Sequence, residues 1–191
     1  MIGPVMTRPA RQHPGASRET PYVPVPDAGA SWPTDIIELI TADHRRIGRL
    51  RDALYDTARH RGDPGPDRTI GHVWQRLADL LVAHTQAAEK ICYLPMFRTA
   101  AQVTGQMRDS VADHDDIRRL IGKAAMQPVG SAPWWHAVSN VLAVSAEYLE
   151  REERDVLPGC LLGLSMSQRK ELGRQWCAFM AAWRGTPPSG S

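Results

Sequence analysis

The chain has 191 residues, 42% of them hydrophobic and 23% charged, enough for one core-forming domain with tails. Its net charge of +2, with both signs interspersed, argues against the concentrated basic face that nucleic-acid binding rewards. Cys92, Cys160 and Cys177 are too few and too scattered for a disulfide framework, and no run approaches the roughly 20 apolar residues of a membrane span; the expectation is a cytoplasmic protein with no membrane or nucleic-acid partner.

Residues 1–33 are rich in proline and show no sustained periodicity, which predicts a disordered tail; a docking peptide for a protein partner is the functional alternative. Thr34 can cap the first helix, with Asp35 at its positive end, and Ile37, Ile40, His44, Ile47, Leu50 and Leu54 then recur at three- and four-residue steps up to about His60. After the breaker cluster 61–66, a second helix from Asp67 aligns Ile70, Val73, Leu77, Leu80, His84, Ala87, Ile91 and Leu94, with Pro95 at its end. A continuation over 96–104 is expected to stop before Gly105.

A third helix over 106–125 places Met107, Val111, His114, Ile117 and Ile121 together. A fourth, 134–157, carries Val138, Val141, Ser145, Tyr148, Glu152 and Val156 inward. Pro158-Gly159 separates it from a last helix over about 167–183. The expectation is an all-α, antiparallel four-helix bundle over 34–160, a short additional C-terminal helix within 161–184 and a frayed end over 185–191.

His44, His84, His114 and the Tyr148/Glu152 pair all fall near the middle of their apolar stripes, so an antiparallel bundle can bring them to one level. Several buried imidazoles and a carboxylate without a common partner would each cost about 1–3 kcal/mol or more, a conflict that a metal ion removes. Imidazole and carboxylate without thiolate suit iron, zinc or manganese.

The order Asp43-His44, then His84 with a carboxylate and Pro95, then Asp113-His114, then carboxylates before Pro158 resembles the hemerythrin-like, HHE cation-binding domains over residues 35–160. The resemblance implies a four-helix bundle with a non-haem di-iron site that binds dioxygen, with some members acting in nitric oxide, peroxide or iron sensing. His44, His84, His114 and Glu152 match ligand positions. Two positions depart: Ala88 stands where a glutamate is expected, and Tyr148 where a histidine is expected.

Pro95 lies eleven residues after His84 whereas Pro158 lies ten after Tyr148, so the second helix carries one extra residue. A π-bulge between His84 and Glu89 would turn Glu89 toward the site as a replacement ligand. Tyr148 has three readings: a plug for the lost ligand bonded to Glu152 or a histidine, a phenolate ligand, or a redox or acid–base group beside the metal. Asp43 and Asp113 are expected in solvent or paired with arginines, Cys92 is expected to be a packed thiol, and His60, His72 and His136 fall out of register with the site.

Two functions follow from this pattern. One is a protein binding iron, as a di-iron or mono-iron site, that meets dioxygen, nitric oxide or peroxide, with oxidase chemistry at an altered site among its forms. The other is a bundle without metal that serves as a binding or regulatory module.

Overall fold

The first helix, α1 (Ile36–Arg59), begins where Asp35 Oδ1 accepts the backbone N–H of Ile37 at 3.0 Å. A carboxylate on an otherwise unpaired amide at a helix start is worth about 1 kcal/mol. Asp35 is thus itself a cap. The computed structural model describes residues 35–59, 66–94 and 104–184. The proline-rich stretch 1–33, Thr34, His60, the breaker cluster over 61–65, Pro95, the continuation expected over 96–103 and the end 185–191 lie outside them.

Ile36, Ile40, His44, Ile47 and Leu54 form the buried face of α1. Each such aliphatic side chain contributes about 1.5–3 kcal/mol by leaving water. The second helix, α2 (Pro66–Ala87), runs without a break into a π-helical stretch over Ala88–Tyr93, where the Leu94 N–H reaches back to the Glu89 carbonyl. Bonding five residues back takes one more residue per turn. That extra residue explains a departure from the expected stripe: Leu94 is 60% exposed, while Tyr93 is 1% exposed and occupies the core.

The third helix, α3 (Thr104–Ala125), includes Gly105 and buries Met107, Ser110, His114, Ile117, Leu120 and Ala124. Val111 and Ile121 pack against the core from its edge. At the turn to α4 (Ala132–Arg151), Ser131 N–H donates to Pro128 C=O at 3.0 Å and Gly130 sits at φ 81°, the left-handed position that glycine takes without a Cβ penalty. Ser131 then caps α4 by accepting the Trp134 N–H. Val138, Val141, Ser145, Tyr148, Glu152 and Val156 are all buried, as their spacing predicts.

A second π-helical stretch follows over Glu152–Val156, closed by the Leu157 N–H on the Glu152 carbonyl. The chain does not stop at Pro158. Pro158 sits in the first turn of α5 (Leu157–Gly163), where its missing N–H is not needed, so the helical path runs further than its proline and glycine suggest. Leu164 is extended, and α6 (Met166–Arg184) is the last element among the described residues.

α1 packs on α2, α3 packs on α4, and α2 meets α3, giving the all-α bundle. Trp74 and Trp134 meet edge-on at 5.8 Å across α2 and α4. α6 lies against α1, α2 and the first π stretch. No helix among the described residues is long and apolar enough to cross a membrane.

Candidate metal centre

Four elements bring their polar residues to one place in this core. His44 comes from α1, His84 from α2, Tyr148 from α4 and Glu152 from the first position of the second π stretch. His84 and Glu152 are fully buried and His44 is 6% exposed. One donor atom from each of His44, His84 and Glu152 lies within 4.8 Å of the others.

The hydrogen bonds show how closely these groups converge. Glu152 Oε2 receives His44 Nε2 at 3.1 Å, His84 Nε2 at 3.2 Å and the Tyr148 hydroxyl at 2.7 Å. Glu152 Oε1 receives the Tyr93 hydroxyl at 2.6 Å. Burial alone would raise the Glu152 pKa, but the hydrogen bonds and charge of His44 and His84 outweigh it and hold the carboxyl well below its usual range. Burial and the Glu152 charge push both Tyr93 and Tyr148 well above the ordinary phenol value, so the two phenols stay protonated donors.

His114 stands beside this group, across Tyr148. Its ring meets Tyr148 edge-on at 4.6 Å and stacks on Tyr93 at 5.7 Å. His114 Nδ1 is bonded to Glu89 Oε1 at 2.8 Å, and both terminal nitrogens of Arg118 also reach that oxygen, each at 2.9 Å. The Glu89 carboxyl is held below its usual value because the His114 and Arg118 contacts outweigh burial. This fixes which edge of the imidazole faces the interior: Nε2, buried and without a hydrogen-bond partner among the described residues. His84 Nδ1 is likewise buried without one.

The sequence placed a π-bulge between His84 and Glu89. The structure has the π stretch beginning at Ala88, and the Glu89 carboxylate goes to His114 and Arg118, outside the group of His44, His84 and Glu152. Ala88 is fully buried, a methyl group at the position where the resemblance implies a carboxylate. Glu89 and Glu152 are nevertheless equivalent in one respect: each offers its carbonyl to the residue five positions on, and each precedes its proline by six residues.

Several contacts carried no periodic signal. Tyr93 enters only because the π stretch turns it inward, and Glu153, which holds His44 Nδ1 at 2.8 Å, follows Glu152 in the second π stretch. Trp176 of α6 meets His84 edge-on at 5.4 Å, and its indole N–H donates to Asp43 Oδ2 at 3.1 Å. Half-buried Asp43 therefore holds a tryptophan and, among the described residues, pairs with no arginine, whereas Asp113 takes Arg151 at 2.7 Å as expected. That same contact links α4 to α3 through Arg151. His72 and His136 are exposed, as their register predicts.

Cys92 and Cys160 are buried and Cys177 is exposed. Burial pushes the Cys92 thiol well up and the Cys160 thiol up to about 12, so neither offers a thiolate at neutral pH. The donor set is nitrogen and oxygen.

The titrations predict a pH optimum for the metal-free fold. A carboxyl with a depressed pKa stabilises above its unfolded value and loses that contribution as the pH falls through the folded one; Glu152 and Glu89 do so below 4.5. Burial opposes the His44 charge, but Glu152 and Glu153 outweigh it and raise its pKa, so its contribution is complete below 6.5 and lost as the pH rises through the folded value. Urea midpoints of the metal-free protein should therefore be higher near pH ~5.5 than at ~3 or ~8.5. A midpoint that keeps rising above pH ~6.5 would contradict the charged His44–Glu152–Glu153 arrangement.

Known proteins bear on this arrangement. The family described as Hemerythrin HHE cation binding domain matches residues 35–160. A crystal structure of a hemerythrin HHE cation binding domain-containing protein from Mycobacterium kansasii is 18% identical and superposes with a TM-score of 0.64, covering 79% of this chain and 88% of that one. At that identity the likeness is one of fold. No functionally curated protein matches. With four of its helices and the buried imidazole–carboxylate group inside the matched residues, the chain belongs to the hemerythrin HHE cation binding domain family.

Proposed function

We propose that the protein binds non-haem iron through His44, His84 and Glu152, with His114 Nε2 as a further donor, and that its ligand is dioxygen or a related small oxidant such as nitric oxide or peroxide. The observation that carries this reading is the convergence of two imidazole nitrogens and a hydroxyl on one buried carboxylate oxygen, beside a third imidazole nitrogen without a partner among the described residues. Nitrogen and oxygen donors without thiolate suit iron ahead of zinc or manganese when the ligand is an oxidant. Iron held there would supply a redox-active Lewis acid in a buried core.

The chain's own residues have separate tasks in this reading. Glu153 and Glu89 hold the Nδ1 edges of His44 and His114, which fixes how each ring presents Nε2. Tyr148 and Tyr93 donate their hydroxyls to the two oxygens of Glu152 at 2.7 and 2.6 Å, which supports reading Tyr148 as an acid–base or redox group beside the metal. Ala88 supplies no carboxylate, which favours a single iron or an asymmetric pair.

Anaerobic titration of metal-free protein with Fe(II), followed by desalting, should leave iron bound and raise the melting temperature; His84→Ala should abolish both effects. Glu89→Ala should weaken iron binding about 10–100-fold by releasing the His114 ring. The competing reading, a metal-free binding or regulatory bundle, draws on the two tyrosines, which let the protein satisfy Glu152 by itself. Retention of no iron, zinc or manganese, with an unchanged melting temperature, would favour it.

A further inference from the structure

Of the three residues that form the metal group, His44 alone has any exposure, and it is the one that lines a groove between α1 and α4 with a cavity volume of about 380 Å³. Ile47, Leu142, Ala146 and Leu149 give the groove apolar walls, and Glu153, held on His44 Nδ1, also lines it. Arg45, Arg51, Glu150 and Glu153 bring two cations and two carboxylates to its lining, a balance that selects by size more than by charge. On another side, α6 closes the site with Trp176, 2% exposed, against His84.

Gly48 also lines this groove, in the interior of α1. Glycine destabilises a helix interior relative to alanine. Here no packing constraint requires it, because a Cβ built at Gly48 meets nothing within 4 Å. The missing side chain leaves the groove wide where it passes along α1.

We infer that the α1–α4 groove is the access route and docking site for small, few-atom oxidants on their way to the centre, with Gly48 setting the size of molecule admitted. This deepens the metal-centre reading and rests on it for what lies beyond His44. The experiment separates the two by using one probe that needs no metal.

Metal-free protein is held in deuterated water, and exchange of the imidazole Cε1 hydrogen of each histidine is followed by mass spectrometry. His44 should exchange about tenfold more slowly in Gly48→Phe than in the unchanged protein, because access then requires local opening of the helices. Gly48→Ala should leave the rate nearly unchanged, and the exposed His72 and His136 serve as internal standards. Ala146→Leu, which fills the groove from α4, should also shield His44 and keeps the test valid if Gly48→Phe does not fold.

In iron-loaded protein, azide should associate about tenfold more slowly with Gly48→Phe or Ala146→Leu at unchanged iron content. Failure of the unchanged protein to bind iron would overturn the metal-centre reading and with it the route's destination. A wild-type exchange rate of His44 in both folded variants would overturn the route itself, as would shielding of His44 with unchanged azide association.

Discussion

Glu152→Ala should destabilise the metal-free protein by about 3–5 kcal/mol, because it removes the acceptor on which buried donors from four other side chains depend. Breaking one side of a buried charged network leaves the remaining groups desolvated and unpaired, which is costlier than losing the contact alone. Glu152→Gln separates stability from binding. The amide keeps the volume and one acceptor oxygen, so much of the fold's stability should survive, but it removes the anionic oxygen that the proposed cation requires. Denaturant unfolding of both variants, paired with iron titration, should show a large midpoint loss for alanine, a smaller one for glutamine, and loss of iron binding in each. Equal midpoints for Glu152→Ala and the unchanged protein would contradict the network.

Trp176→Ala should cost about 3–5 kcal/mol, the range for deleting a large buried aromatic side chain. Its effect should also reach the centre. The indole joins α6 to Asp43, next to His44, and covers His84, so its removal opens a cavity against one candidate ligand and leaves the Asp43 carboxylate without its indole donor. Iron should then pass to a chelator faster than from the unchanged protein. Trp176→Phe fills most of the space but lacks the N–H donor, and should fall between the two in both stability and release rate. An unchanged release rate in Trp176→Ala would mean that α6 supports the bundle without closing the centre.

The sequence made the bundle legible because apolar residues at three- and four-residue steps mark the inner face of an α-helix regardless of neighbours. His44, His84, His114, Tyr148 and Glu152 stand in that stripe, and all five are buried. Legibility failed where the backbone left the α period. The extra residue before Pro95 pointed to a π stretch in α2, but its start at Ala88 sends Glu89 to His114, and the second stretch, at Glu152, had no comparable count to reveal it. Tyr93 and Leu94 exchanged places for the same reason. Trp176 was beyond periodic reasoning altogether: its contacts with His84 and Asp43 are set by how α6 lies on α1 and α2, a tertiary choice that spacing within one helix does not encode.

The central claim, that this core holds a metal between four helical elements, meets its most direct test in an anomalous-scattering map from crystals of the iron-loaded protein, collected on both sides of the iron edge. A peak bounded by His44 Nε2, His84 Nε2, His114 Nε2 and Glu152 is the predicted result. A map with no iron peak there, in crystals whose protein solution retained iron, would contradict it.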